Sequence, residues 1–318
     1  MIDRRFIGSI NKIEWIWSFI GVISLLIALG IISSRSPLDA LMANAISASF
    51  LAIAALGQMF VFTTGRGAAD LSIPGVITIS AFMTTRLVGG SSVNLLYGLP
   101  LILLVGVLIG FANGVFVTIF RIPPIIATLG MGYVLITFSL VLNEGFAAFK
   151  TCSVLLFMTR NKFLGLPIIV IFVIIVALLC AFVLKKIVYG RALLALGQNI
   201  FAAYFSGINI RVVEILAYVI SGALAALAGI FLSARVGGAF LGMGDSYLME
   251  TIGAVVIGGT AVAGGKASII GTLFACLFLI LLTTVMQSAG ISIGLQNILK
   301  GVLIVLALAF MSSGEKEK

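Results

Sequence analysis

The sequence predicts an all-α, polytopic integral membrane protein of about ten transmembrane helices with both termini cytoplasmic. Three observations carry this. Of its 318 residues, 62% are hydrophobic and only 9% are charged, with a mean hydropathy of +1.30; a soluble domain carries about a quarter charged residues. The apolar residues fall in runs near the ~20 residues that cross a bilayer. The lysines and arginines lie between those runs, and unevenly.

The composition also excludes function classes. A net charge of +9 without a basic stripe of interleaved aromatics gives no reason to expect a nucleic-acid partner; lipid is the solvent of this chain. There is no histidine, which removes imidazole catalysis and histidine metal sites. Cys152, Cys180 and Cys276 are far apart, and the last two lie inside apolar runs, where cysteine behaves as a small hydrophobe. No catalytic set and no metal set emerges, and residues 1–318 read as a single transmembrane domain. The basic N-terminal stretch before a full-length apolar run reads as a retained first span.

Taken in order, the expected spans are Ile13–Ile32, Leu41–Phe62, Leu71–Val88, Leu95–Phe120, Pro123–Leu142, Phe163–Leu184, Val212–Ser233, Tyr247–Ala263, Ile269–Ala289 and Leu295–Met311. An N-terminus inside puts Arg4, Arg5, Lys12, Arg66, Arg121, Lys185, Lys186, Arg191, Arg211, Lys266, Lys316 and Lys318 in the cytoplasm. Arg35, Arg86, Lys150, Arg160, Lys162 and Arg235 are left outside, and Lys300 falls within the last span. The bias sets the orientation. It is weakest at Asn143–Lys162, where a re-entrant segment would explain the excess outside charge.

The third and eighth spans are short and broken. Leu71–Val88 opens on Asp70, Ser72, Pro74 and Gly75, and Tyr247–Ala263 carries Gly253, Gly258 and Gly259. They lie five spans apart and cross in opposite directions. This is the relation of an inverted repeat pairing spans two to five with spans seven to ten. In transporters such broken spans lie on the translocation path; close helix packing explains any single glycine nearly as well. The fourth span carries Gly106, Gly110 and Gly114 at spacing four, a packing face, and Asn113, whose amide needs either a helix–helix partner or a wet pathway. Asp70, Ser72 and Asn113 are the expected substrate-side residues, and Asp245 and Glu250 are placed at the outer mouth.

The acidic residues are few, and none falls at the centre of an expected span, which argues against coupling to an ion gradient. An ion-coupled secondary transporter with inverted repeats remains the alternative. Thr260–Ala267 imitates a phosphate-binding loop. It lacks the first glycine, has no Ser or Thr after Lys266 and follows a membrane span, so this chain is expected to bind no ATP.

One long stretch in the second half, Lys185–Arg211, is too polar for lipid. Within it Asn199 can cap a helix over Ile200–Ser206 that Gly207 ends. Ile200 with Tyr204, and Phe201 with Phe205, pair along the helix, while Ala202 and Ala203 keep one side thin. Gly190, Arg191 and Gly197 shape the approach. Such an apolar helix outside the bilayer either lies on the membrane surface or inserts into a partner.

Several segments resemble, in order, the permease subunits of bacterial sugar ABC importers of the ribose/xylose/arabinose/galactoside type. They are Thr64-Gly65 with Asp70-Leu71-Ser72, Asn113-Gly114, and Arg121-Ile122-Pro123-Pro124 before Ile126–Gly130. Tyr189-Gly190-Arg191, Ala195-Leu196-Gly197, Asn199 with Ala202-Ala203, and Ser206-Gly207-Ile208 follow. Ser221-Gly222 with Ala225–Gly229, Tyr247 and Glu250, Gly258–Thr260, Ala263–Lys266 and Lys300 complete the series. The resemblance runs from about Ala40 to Met311. It implies a permease in the bacterial inner membrane that pairs with a second permease, receives sugar from a periplasmic binding protein and couples to cytoplasmic ATPase subunits, which bind the ATP. It also implies that Asn199–Gly207 is the coupling helix, with Gly190, Arg191, Gly197, Ala202, Ala203, Tyr204 and Ser206 around it. This chain departs in carrying Ile200 and Tyr204, where the family often has Glu and a basic residue, and in the extra residues Arg66 to Ala69.

Overall fold

The computed structural model describes residues 15–33, 36–143 and 151–315. Arg4, Arg5, Lys12, Arg35, Lys150, Lys316 and Lys318 lie outside the described residues. Each expected span has its helix. These are α1 (Ile16–Ser33), α2 (Pro37–Thr63), α3 (Ile73–Met83, running on as a π-helical turn over Thr84–Val88), α4 (Leu95–Thr118) and α5 (Pro124–Asn143). After α6 (Ser153–Arg160), β1 (Lys162–Phe163) and β2 (Leu166–Pro167) come α7 (Ile168–Lys186), α8 (Val188–Gln198) and α9 (Ile200–Phe205). The chain closes with α10 (Ile210–Val236), α11 (Tyr247–Ile257), α12 (Ile269–Ser288) and α13 (Ile293–Glu315). Six of these helices are long and apolar enough to cross a membrane, and α1, α3, α11 and α13 are shorter apolar helices.

Local chemistry sets several boundaries. Ser36 caps α2, its Oγ accepting from the Asp39 N–H at 3.1 Å, with Pro37 in the first turn. Asn209 caps α10 and Gly237 ends it at φ 89°. The eighth span is shorter than its apolar run: α11 stops at Ile257 and residues 258–268 turn back to α12. Residues 144–150 of the outer segment suspected of re-entering lie outside the described residues; its described part carries the eight-residue α6 and leads into a minimal hairpin turned by Leu164 and Gly165, both at positive φ. A helix of eight residues is about 12 Å long, too short to cross.

Helix α2 is the centre of the bundle, buried without interruption from Ala48 to Thr63. Against it and α10 the rest is arranged. The main pairings are α10 with α4, α2 and α3; α2 with α12 and α11; α3 with α5; and α11 with α12 and α13. Exchanging α2 with α10, α3 with α11, α4 with α12 and α5 with α13 turns this set into itself, except that α11–α12 becomes the slighter pairing α3–α4; α1, which packs on α12, stands outside the exchange. The pairing α10–α4 becomes α2–α12, α10–α3 becomes α2–α11, and α3–α5 becomes α11–α13. The lengths agree as well, 27 residues for both α2 and α10 and 11 for both α3 and α11. This is the contact pattern of the expected inverted repeat.

Gly106 and Gly110 do what a smooth face should do. A Cβ on Gly110 would lie 2.2 Å from the Tyr218 carbonyl oxygen, and one on Gly106 would lie 2.5 Å from that of Gly222. Only glycine lets α4 and α10 approach this closely. Among the described residues, Arg66, Arg121, Lys185, Lys186, Arg191, Arg211 and Lys266 lie at one end of the bundle. Arg86, Arg160, Lys162 and Arg235 lie at the other. The first end is called the basic face below.

Candidate functional site on the basic face

Between α7 and α10 the chain leaves the bundle and makes two short helices. The backbone can turn tightly from α7 into α8 because Gly190 packs against the carbonyl of Val183, where a Cβ would come to 2.2 Å. Arg191 then points into solvent, while Leu193 and Leu196 are buried. Helix α9 follows as expected, one residue shorter than its sequence bounds. Asn199 Oδ1 accepts from the Ala202 N–H at 3.0 Å. At the other end Gly207, at φ 80°, donates to the Tyr204 carbonyl, Ile208 donates to that of Ala203, and Ser206 Oγ donates to that of Ala202. Both ends of the single helical turn are therefore capped by local partners.

The helix stands on Ala203, which is 3% exposed, and turns its large residues outward: Phe201 is 73% exposed, Tyr204 65% and Phe205 83%. Ala202 is exposed beside them and Ile200 is half-buried. Tyr204 and Phe205 meet edge to face at 5.7 Å. Three uncovered aromatic rings on a rigidly capped turn have the composition of an interaction anchor.

The same element is clamped from behind. Gly197 enters a junction with the turns before α3 and before α12: a Cβ there would be 2.1 Å from both the Gly265 nitrogen and the Thr63 carbonyl oxygen. Gly265 N–H donates to that same Thr63 carbonyl at 3.0 Å. Beside the junction opens a cavity of about 1070 Å³, bounded by Arg66, Arg121, Tyr204, Phe205, Arg211 and Glu214 among others. Across it Arg66, within the extra residues, pairs with Glu214 at the foot of α10. The segment that carries α8 and α9 is thus packed against the turns leading into α3 and α12.

The segment leading into α3 carries two of the residues expected on the substrate side, Asp70 and Ser72, and the structure brings the third, Asn113 on α4, to them. Asp70 Oδ1 accepts from the Ser72 N–H at 3.0 Å and from Ser72 Oγ at 2.6 Å, and Asp70 Oδ2 accepts from Ser221 Oγ at 2.7 Å. Asn113 Nδ2 donates to Ser72 Oγ at 2.8 Å. Gln58 Oε1 accepts from the Asp70 N–H and Thr128 Oγ1 from the Leu71 N–H. All three are buried in this arrangement of the chain, Asp70 at 1% exposure and Ser72 and Asn113 at 0%. With their partners they hold the start of α3 to α2, α4, α5 and α10. Sequence reasoning missed Gln58, Thr128 and Ser221 as members. The available signal was a polar side chain within an apolar run, which must find a partner.

Asp70, Glu214 and Glu250 are all buried in the bundle. Glu250, placed at the outer mouth from sequence, is 8% exposed and accepts from Lys300 Nζ at 2.8 Å, joining α11 to α13. Asp245 is exposed on the loop opposite the basic face. The three cysteines are free and buried.

Among the described residues, ten apolar helices around a buried centre, with a capped aromatic turn outside the apolar bundle, fit a multi-pass permease of the inner membrane. The chain belongs to the family described as branched-chain amino acid transport system / permease component, which it matches over residues 41–308. It is similar to the ribose import permease protein RbsC of Escherichia coli K12, 34% identical over 304 residues, 92% of this chain and 93% of that protein. It is also similar to the autoinducer 2 import system permease protein LsrC of Salmonella paratyphi B, 31% identical over 83% of this chain and 75% of that protein. The probable ABC transporter permease protein YphD of Escherichia coli K12 is 35% identical over 60% of this chain and 57% of that protein. No solved structure matches. The ion-coupled alternative has no counterpart in this family or these relatives.

Proposed function

We propose that this chain is the membrane-spanning subunit of an ATP-binding-cassette importer that moves a sugar or a related small polar solute across the inner membrane. In this reading residues 1–318 act as one domain. A periplasmic binding protein delivers the solute to the face bearing Asp245. A second permease, the same chain or a related one, completes the passage. ATP is bound by cytoplasmic ATPase subunits, whose closure shifts the helices between inward and outward arrangements through Asn199–Gly207. The relatives named for ribose and autoinducer 2 import support the solute class. The observation that carries the coupling role is α9, three exposed aromatic rings on a capped turn clamped at Gly197.

Replacing Phe201, Tyr204 and Phe205 together with alanine tests this. All three side chains are exposed, so the bundle should keep its stability within about 0.5 kcal/mol per site. Buried in an ATPase groove, each ring would be worth about 2 kcal/mol, and a loss of 1.4 kcal/mol is tenfold in affinity. The expected outcome is a correctly inserted permease from which the ATPase subunit no longer co-purifies. Unchanged co-purification would remove α9 from the interface.

A further inference from the structure

We propose that the crevice between α1, α7 and α12 on the basic face is a binding site for one anionic phospholipid. A cavity of about 490 Å³ opens there. Its wall is apolar, with Leu178 and Ala181 on α7 and Leu273 on α12. A small residue at 181 leaves the gap. Hydrocarbon fills such a wall without stranding a polar group, which water or a polar ligand would not do.

The rim is of the opposite kind. Lys185 lines the cavity one helical turn beyond Ala181, at the end of α7. Neither Lys185 nor the adjacent Lys186 has an ion-pair partner among the described residues, and both are exposed. Ser268, the residue before α12, lines the same cavity, and its side chain makes no capping bond. The N-terminus of this 20-residue helix, with Ser268, Ile269 and Ile270 lining the cavity, therefore lies at the same rim, where the helix dipole favours negative charge. Among the described residues no carboxylate lines the cavity. Trp15 completes the rim and stacks on Phe274 at 5.7 Å, in the place where tryptophan marks a membrane–water boundary.

The order of these groups is that of a lipid: an acyl chain against Leu178, Ala181 and Leu273, and a phosphate at the level of Lys185 and Ser268. Charge complementarity selects an anionic headgroup over a zwitterionic one. The site lies away from the cavity beside α9, so occupancy steadies the α7 end of the coupling segment without entering the transport route.

The chain has two tryptophans, Trp15 and Trp17. In a Trp17→Phe variant Trp15 is the sole reporter. The intact protein is placed in nanodiscs containing brominated phosphatidylglycerol or brominated phosphatidylcholine, and quenching of Trp15 is compared. The proposal predicts preferential quenching by the glycerol lipid, with Lys185→Gln lowering that preference about fivefold, the effect of one interfacial lysine. Ala181→Phe fills the gap and lowers quenching by both lipids. Soluble glycerol phosphate at millimolar concentration leaves quenching unchanged. Equal quenching by the two lipids, or a preference that survives Lys185→Gln, overturns the proposal. Displacement by glycerol phosphate overturns the lipid in favour of a free-phosphate site.

Discussion

Helices α3 and α11 are counterparts under the exchange that relates the two halves, yet their beginnings are built from different chemistry. Both have 11 residues and follow a non-helical segment turned by positive-φ glycines, Gly65 and Gly67 in one half, Gly237 and Gly242 in the other. At α3 the carboxylate of Asp70 is met only by neutral donors, Ser72 and Ser221, and the surrounding bonds of Gln58, Asn113 and Thr128 tie in α2, α4 and α5. At α11 the carboxylate of Glu250 is met by one full charge, Lys300, and ties in α13. The first arrangement spreads its bonds over several helices, so that removing one leaves others. The second is all or nothing. The distributed one lies a few residues beyond the Gly65–Gly197–Gly264 junction, where the proposed coupling segment packs against the bundle; in that proposal the foot of α3 is secured where force enters.

The contrast can be broken by substitution. The largest expected effect is Lys300→Ala, which strands Glu250 as a buried charge and should cost about 3–5 kcal/mol in detergent unfolding experiments. Replacing Glu250 and Lys300 together with leucine should recover most of that loss; if the double variant is as unstable as the single one, the two residues are not coupled. Asp70→Asn keeps the shape of its side chain but leaves a hydroxyl donor mismatched, for about 1–3 kcal/mol by the same measurement. The smallest effect belongs to Arg66→Gln. The Arg66 side chain is 59% exposed, so its pair with Glu214 should contribute less than about 1 kcal/mol, and less still in high salt. An Arg66→Gln loss exceeding that of Lys300→Ala would reverse the order on which the contrast stands.

The fold was largely legible because lipid imposes a length. Each apolar run became a helix within a few residues of its expected bounds, and two glycine-broken runs gave the positions of the short helices. Helices α6 and α8 were not legible. They are amphipathic surface pieces whose existence depends on the bundle they cover, and neither run is long enough to announce itself. In the site, Asn199 and Gly207 were readable because capping chemistry is local. The burial of Asp70 and Glu250 was not, because it depends on Ser221, 151 residues away, and on Lys300, 50 residues away. Distant partners of this kind leave only a polar letter in an apolar run.

The central claim is that α9 passes ATPase motion into the bundle, and Gly207 tests it with the least collateral damage. Its φ of 80° disfavours any side chain, but nothing lies within 4 Å of where a Cβ would stand. Valine there strains the turn by about 1–2 kcal/mol without a clash. In a reconstituted complex of permease, ATPase and binding protein, solute carried per ATP hydrolysed by a Gly207→Val variant is the direct measurement. A correctly inserted protein whose transport per ATP falls at least about tenfold, equivalent to 1.4 kcal/mol of lost coupling, is the predicted result. Wild-type transport with a normally associated ATPase would contradict the account.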